Sequence, residues 1–182
     1  AGRSIDWMRD VFDEPNYEQM DSEVKAVAPG CDGLLFLPYL EGERAPIYDS
    51  NARGVFFGLT PSHGRGHFLR ATVEGVCLGL RSVVEILRET RPVENFRIIG
   101  GGARSESLRR ILASACAAEV RTLSVAAADA TSLGAAVAAG VAVGMFRDLA
   151  EGTSAISETA SDAPDSEATK VYAENAKLQM EI

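Results

Sequence analysis

Apolar residues recur every three or four positions in five segments of the chain, a spacing that is typical of helices with one buried face. Shorter apolar runs, most of them bounded by glycine, proline or polar residues, predict interior segments or strands between the helices. The helical segments are residues 2–12, 17–27, 69–87, 108–118 and 167–180, and the shorter runs are residues 33–37, 55–57, 96–99 and 120–125. The alternation of the two patterns predicts an α/β fold.

Three consecutive glycines separate a predicted strand from a predicted helix. The strand is residues 96–99, the glycines are Gly100, Gly101 and Gly102, and Ser105 opens the helical segment. Because glycine has no Cβ atom, a flat ligand or a phosphate can approach the backbone and the free N–H groups of the next helix. The pattern is equally typical of a tight turn that binds nothing.

The longest predicted helix has capping residues at its expected start and two internal charge pairs. Residues 60–62, Thr-Pro-Ser, offer a hydroxyl cap and a proline for the first turn, which predicts that the helix begins there. Arg70 with Glu74, and Arg81 with Glu85, are four residues apart and are expected to pair along the helix.

Residues 129–144 consist almost entirely of small side chains and are expected to form a further helix. Small residues allow close packing, so we expect this helix to lie in the core beneath the glycine turn, with Ala135, Ala136 and Ala139 at the contact. In an alternative interpretation, residues 129–132 touch a ligand directly.

Residues 39–58 show no clear period and are dense in charge, glycine and proline. Ordered loops of this kind either carry function or cover a core edge. Arg44 and Arg53 can reach a ligand, or they can fix the loop by pairing with Asp49 or Glu43.

The C-terminal part divides into two segments. Residues 151–165 are rich in Ser, Thr, Ala and acid and are expected to be a surface connector. The last helix is expected to dock on the domain through its apolar residues, which are Val171, Tyr172, Leu178 and Met180.

Length and charge restrict the class of protein. A chain of 182 residues predicts one main domain. The formal net charge of −8 argues against a nucleic-acid or anionic-membrane surface, and no apolar run approaches the length of a membrane span. The expected partners therefore include neither nucleic acid nor a membrane.

Cysteine and histidine usage indicates no structural metal. Cys31, Cys77 and Cys116 are odd in number and widely spaced, which predicts free thiols in a reducing, cytoplasmic compartment. His63 and His67 lack a third ligand, so surface or capping roles are expected. The sequence starts with neither Met nor a signal peptide, and we expect it to begin inside a longer protein.

Five short motifs occur in the order in which one superfamily has them. Residues 54–60, followed by residues 67–75, resemble the second signature of the FGGY carbohydrate kinases, and residues 100–105 resemble their adenine-side loop. The Gly-Glu-Arg-Ala-Pro sequence at residues 42–46 is most similar to the xylulokinase branch. The remaining motifs are Asp49 with residues 52–54, and residues 132–136.

The resemblance covers residues 1 to about 150 and implies a ribonuclease H-like, actin-like ATPase fold of two domains that close on ATP and a sugar. This chain is similar to most of the C-terminal domain, without its first strands. The family's catalytic aspartate, its threonine-bearing phosphate turn and most of its sugar pocket lie upstream of the position of Ala1. No catalytic residue is therefore expected in this chain. Leu108 and Asp129 depart from the tryptophan and glutamate that the branch commonly has.

The resemblance also implies a nucleotide site, with ATP and Mg²⁺ as cofactors and no metal ligand from this chain. Glu106 could meet an adenine or ribose group, or it could be an acid favoured at a helix N-terminus. The expected partners are a small sugar and the missing N-terminal domain, and a homodimer is compatible with the family. Residues 1–150 are expected to form the kinase domain, followed by an acidic connector and helix at 151–182. The expected nucleotide-binding residues are Gly101, Gly102 and Ala103 at the adenosine, Glu106 or Ser107 at a polar group, and Gly2 and Asp6 near the phosphates.

Two other classes of protein are compatible with parts of the sequence. A dinucleotide-binding oxidoreductase is favoured by Gly100 and Gly102 after a strand, but Ser105 stands at the third small position and no βαβ unit follows Val143. A non-catalytic nucleotide-binding or assembly module is the remaining alternative.

Overall fold

The computed structural model describes residues 2–13, 16–45, 47–124, 129–154 and 156–182. Seven helices and five strands lie within these ranges. The helices are α1 (Gly2–Val11), α2 (Tyr17–Ala26), α3 (Arg65–Arg88), α4 (Glu106–Cys116), α5 (Ala130–Ala142), α6 (Leu149–Thr153) and α7 (Ser166–Glu181). The strands are β1 (Leu35–Leu37), β2 (Val55–Phe57), β3 (Asn95–Ile98), β4 (Glu119–Leu123) and β5 (Glu158–Asp162).

The strands form two small sheets. β1 and β2 pair antiparallel, with Phe36 opposite Phe56. In the second sheet β4 is central: it pairs parallel with β3 and antiparallel with β5. The parallel pair requires a crossover, which α4 provides. The glycine turn therefore lies where β3 ends and this crossover begins.

The core forms where α3 packs against α4 and β1. α3 crosses β1 so closely that a Cβ atom on Gly75 would lie 2.2 Å from the carbonyl oxygen of Phe36. The Phe56 ring packs against Phe36 in a tilted arrangement and against Phe68 edge-on, with ring centroids 4.5 and 5.0 Å apart. Its neighbours Val55 and Phe57 are exposed, so the prediction that residues 55–57 return to the interior holds only for Phe56.

A buried polar network fastens α7 to α3. Arg70 Nε donates to Glu74 Oε1 at 2.6 Å, and Arg70 Nη2 donates to the hydroxyl of Tyr172 at 2.9 Å. The Tyr172 hydroxyl in turn donates to Glu74 at 2.9 Å. Arg70 Nη1 donates to the carbonyl oxygens of Val24 and Val27, which adds the end of α2. Burial, reinforced by the Glu74 charge, raises the pKa of Tyr172.

The charge pairs predicted on the long helix are confirmed, but its predicted start is wrong. Arg70 pairs with Glu74, and Arg81 with Glu85 at 3.7 Å. The helix begins at Arg65 rather than at residues 60–62, where Thr60 Oγ1 hydrogen-bonds to Ser62 Oγ in a turn.

The small-residue helix forms as predicted, but it does not lie in the core. In α5 only Val137 and Gly140 are buried, while Ala135, Ala136 and Ala139 are exposed. α5 packs mainly on α6 and not beneath the glycine turn. Small side chains permit close packing but do not specify the partner, so the predicted location is wrong.

The segment predicted as a surface connector contains two elements. α6 lies at its start, and β5 extends the second sheet. Most side chains of β5 are exposed, and its sequence has few apolar residues. An apolar run therefore does not mark this strand in the sequence. The last helix docks through Ala168 and the predicted Tyr172, and Val171 is half-buried. Leu178 and Met180 are exposed, contrary to the prediction.

Of the helices in the described ranges, none is both long and apolar enough to cross a bilayer.

Candidate functional site

The glycine turn joins β3 to α4 as predicted. Gly100 has φ 92° and ψ −168°, a conformation that glycine adopts without a steric penalty. Residues Gly101–Arg104 then form a 3₁₀ turn. Ser105 caps α4 by accepting the N–H of Leu108 at 3.1 Å, which confirms the predicted helix start.

One face of the turn is open backbone. A Cβ atom on Gly100 or Gly101 would meet no atom of the described residues within 4 Å. A Cβ atom on Gly102 would instead lie 3.6 Å from the Leu108 side chain and 3.8 Å from Ile98. A flat ligand therefore has space beside Gly100 and Gly101, while Gly102 faces the apolar side of the turn.

Asp21 of α2 holds the beginning of α4. Its Oδ1 accepts hydrogen bonds from Ser105 Oγ at 2.6 Å and from the Ser107 hydroxyl and N–H at 2.5 and 3.1 Å. Burial by itself would raise the pKa of Asp21, but the hydrogen bonds from Ser105, Ser107 and Lys25 outweigh it and hold this pKa below its ordinary value. Ser107 is 5% exposed. Its hydroxyl therefore hydrogen-bonds within the protein, to Asp21.

Glu106 forms a surface ion pair next to this group. Lys25 Nζ lies 2.7 Å from Glu106 Oε2 and 2.9 Å from Asp21 Oδ2. The hydrogen bond from Lys25 lowers the pKa of Glu106, and the same bond raises the pKa of Lys25. Glu106 is exposed, so a ligand at the turn can reach its carboxylate.

The two residues predicted near the phosphates lie on α1. Gly2 is exposed at the first position of this helix. Asp6 Oδ1 accepts a hydrogen bond from the Tyr17 hydroxyl at 2.8 Å, which raises the pKa of Tyr17. Tyr17 and Asp21 are both on α2, so α2 is hydrogen-bonded to Asp6 at its first residue and to the start of α4 from its middle.

In the described part of residues 39–54, charged side chains hydrogen-bond to the backbone of the loop and do not form the expected ion pairs. Glu43 Oε1 accepts the N–H groups of Arg44 and Ala45, and Asp49 Oδ1 accepts that of Asn51. The Arg53 guanidinium donates to the carbonyl oxygens of residues 50 and 52. The carboxylates of Glu43 and Asp49 accept hydrogen bonds from neighbouring backbone N–H groups. The predicted ion pairs with Arg44 and Arg53 are therefore wrong. Pro46 lies outside the described residues, as does Val125 of the predicted strand.

His63 and His67 cap the turn before α3, as predicted. His67 Nδ1 accepts the N–H of Gly64 at 3.2 Å, and His63 Nδ1 accepts that of Thr60 at 3.0 Å. The lone pair on each Nδ1 is thus engaged and the ring proton lies on Nε2, which faces Asp32 in both residues. Within the described ranges, no three His, Cys, Asp or Glu side chains cluster as metal ligands.

Two parts of the site gave no sequence signal. The polar residues Asp21 and Lys25 of α2 both contact α4, and no local pattern predicts these contacts. Arg109 contacts the glycine turn and β5, and β5 itself was read as connector. These are contacts between segments that are distant in sequence, which local patterns do not encode.

The strand, the open glycine turn and the capped helix define an α/β domain with bare backbone exposed before the start of a helix. The chain belongs to the FGGY family of carbohydrate kinases, whose C-terminal-domain profile matches residues 1–143.

Two curated relatives illustrate the similarity. The chain is 36% identical over 152 residues to the xylulose kinase of Lactococcus lactis, covering 82% of this chain and 30% of that protein. It is 39% identical over 133 residues to the gluconokinase of Bacillus subtilis, covering 66% and 26%. The chain thus spans about a third of the length of its relatives or less.

The structural comparison gives the same family. The ligand-bound xylulose kinase of Lactobacillus acidophilus superposes with a TM-score of 0.90 at 28% identity, covering 100% of this chain and 37% of that one. The predicted fold class is confirmed: the chain is an α/β C-terminal domain of the actin-like ATPase fold.

Proposed function

We propose that this chain is the nucleotide-side domain of a carbohydrate kinase of xylulokinase type, which transfers the γ-phosphoryl group of ATP to a sugar hydroxyl. The observation that carries the proposal is the open backbone at Gly100 and Gly101, which lies before the N-terminus of α4 in a member of this family. Phosphoryl transfer depends mainly on positioning and electrostatic stabilisation. This chain contributes groups that hold the nucleotide.

The turn would hold the adenosine through Gly101, Gly102 and Ala103. Glu106 is the better candidate for a polar group of the base or ribose, because its carboxylate is exposed while Ser107 is buried and donates to Asp21. The N–H groups at the start of α4 favour an electron-rich partner.

Gly2 and Asp6 would lie on the phosphate side, at the exposed start of α1. Mg²⁺ would neutralise phosphate charge when bound with ATP, and we assign no residue of this chain to it.

The remaining parts of the proposal concern the intact protein. A separate N-terminal domain would supply the sugar pocket and the catalytic aspartate, since the chain spans only 30% of the xylulose kinase that it matches. The Gly-Glu-Arg-Ala-Pro sequence at residues 42–46 is most similar to the xylulokinase branch, and this resemblance is the basis for naming that type. Three free, buried cysteines support a cytoplasmic location. The domain boundary near residue 150 stays a prediction. β5 and α7, which follow that position, both pack on elements that precede it.

Substitution of Gly101 by Val in the intact protein tests the nucleotide site. The side chain would enter the open space beside the turn, so we expect the Kd for ATP to rise at least about tenfold, roughly 1.4 kcal/mol, with sugar affinity unchanged. Gly64→Val is the control. Gly64, like Gly101, has open space for a side chain, and its backbone is extended with φ −101°. It precedes α3 rather than α4, so it is not part of the glycine turn. Equal loss of ATP and sugar binding, or loss of folding, would show that the turn is structural.

A further inference from the structure

Arg109 connects the glycine turn to the last strand. Its Nη1 donates to the carbonyl oxygen of Ala103 at 2.8 Å, and its Nε donates to Asp162 Oδ2 at 2.6 Å. Ala103 belongs to the 3₁₀ turn, and Asp162 is the last residue of β5. One guanidinium therefore bonds to both, and we call this pair the Asp162–Arg109 strut.

The strut is largely shielded from water. The side chains of Arg109 and Asp162 are 14% and 13% exposed. Charge-assisted hydrogen bonds are stronger than neutral ones, and they weaken less where solvent screening is low. Because the guanidinium is planar and rigid, the position of Asp162 fixes the direction of the donor that reaches Ala103.

The turn itself has few other restraints. Gly100 and Gly101 have open space where side chains would be, and Gly102 has only ordinary van der Waals neighbours on its apolar side. On the α2 side, Asp21 fixes the residues that follow the turn through Ser105. The turn is therefore held from two sides, by Asp21 of α2 and by Asp162 of β5.

We propose that Asp162 and Arg109 are positioning residues for the nucleotide, acting through the carbonyl of Ala103. Asp162 lies beyond residues 1–143, which the family profile matches, so the C-terminal segment would contribute to nucleotide affinity. The inference rests on the proposed function. Both groups act through the turn backbone, so neither needs to touch the ligand.

The test uses Asp162→Asn and Arg109→Lys in the intact protein. Without nucleotide, amide hydrogen exchange over residues 100–105 is expected to speed up in both variants. The Kd for ATP is expected to rise roughly three- to thirtyfold, the range for coupling through a packed network. In steady-state assays, the KM for ATP should rise while the KM for sugar stays unchanged.

Glu158→Gln is the matched control. Glu158 lies on the same strand, β5, and pairs with Arg121 of β4 and Arg97 of β3, so its ion pairs tie β5 into the sheet without contacting the turn. It should change neither the exchange at residues 100–105 nor the Kd for ATP. Asp162→Glu, which retains the carboxylate, should keep at least part of the wild-type affinity.

Unchanged exchange and unchanged ATP affinity in folded Asp162→Asn and Arg109→Lys would overturn the inference alone. If Asp162→Asn does not fold, as judged by circular dichroism, Arg109→Lys and Asp162→Glu decide the same question. If the wild-type protein binds no ATP, both the proposed function and this inference are overturned.

Discussion

A single carboxylate oxygen of Asp21 accepts three hydrogen bonds from the start of α4, two from hydroxyl groups and one from a backbone N–H. A carboxylate with several donors keeps its negative charge even when water is partly excluded. The second oxygen of Asp21 meets Lys25, so the charge is also compensated. This one side chain therefore joins α2 to the residues that flank the glycine turn.

Asp21→Asn is expected to destabilise the domain in a pH-dependent way. The folded-state pKa of Asp21 is lowered, so its stabilising effect is fully present above the ordinary carboxylate pKa and is lost as pH falls through the lower folded value. At pH 7 the loss should be roughly 1.5–3 kcal/mol in the free energy of unfolding, the value for hydrogen bonds to a charged group. Urea unfolding of both proteins at several pH values measures it.

Below about pH 4 the difference between the two proteins should shrink. Asp10→Asn, at an exposed position on α1, is the control and should change the unfolding free energy by less than about 0.5 kcal/mol. A wild-type-to-Asp21→Asn difference that stays constant with pH would contradict the assigned role.

Residues with local roles could be predicted, and residues with distant partners could not. Ser105 as a cap and Gly100 in the turn follow from neighbours within a few positions. Asp21 bonds to residues 84 and 86 positions away. Such contacts depend on how the helices pack, which their periodicity does not determine.

At the scale of elements, the crossing of α3 over β1 depends on one glycine. Any side chain on Gly75 would meet the backbone of Phe36, and a backbone oxygen at 2.2 Å cannot rotate aside. Glycine has a low helix propensity, but the close approach of α3 to β1 requires a residue without a Cβ atom at position 75.

Gly75→Ala is therefore expected to lower the free energy of unfolding by roughly 1–3 kcal/mol through overpacking. Gly79→Ala, one turn later in the same helix, is the matched control. Its Cβ atom would lie 3.7 Å from Pro38, so the better helix propensity of alanine should stabilise the protein by up to about 1 kcal/mol. Thermal or urea unfolding of the two variants compares them, and effects of the same sign would refute the close-packing account.

Helices and apolar strands were largely predictable, whereas packing partners and polar strands were not. The sequence predicted six of the seven helices in the described residues and omitted only α6, which is five residues long. β5 was missed because its sequence, Glu-Thr-Ala-Ser-Asp, has almost no apolar side chain. α5 was assigned to the core because small residues are compatible with any close contact, and its exposed Ala136 shows that this contact is not made with the turn.

At the scale of the whole molecule, the motif order identified the family and the fold class before any contact was known. The relatives include both a xylulose kinase and a gluconokinase, so family membership does not by itself choose the sugar. The sugar-binding determinants are expected mainly in the N-terminal domain, and no pattern within this chain could supply them.

The chain by itself is expected to show no sugar-dependent ATP turnover, because the catalytic aspartate and the sugar pocket are proposed to lie on another domain. Purified 182-residue protein, assayed for ATP consumption with a panel of ketoses and pentitols, tests this. Turnover near the rate of the intact kinase would refute the division of labour. An intact protein that binds ATP without phosphorylating any sugar would instead favour a non-catalytic nucleotide-binding module.

The network of Arg70, Glu74 and Tyr172 also sets an order of events during synthesis. Arg70 and Tyr172 are 102 positions apart, so the ribosome needs roughly 5 to 20 seconds to make the chain between them. In that interval the nascent α3 carries a charged pair without the hydroxyl that completes it. The domain can therefore finish folding only after α7 emerges, and a stalled or prematurely terminated chain would expose this charged site together with the apolar surface around it.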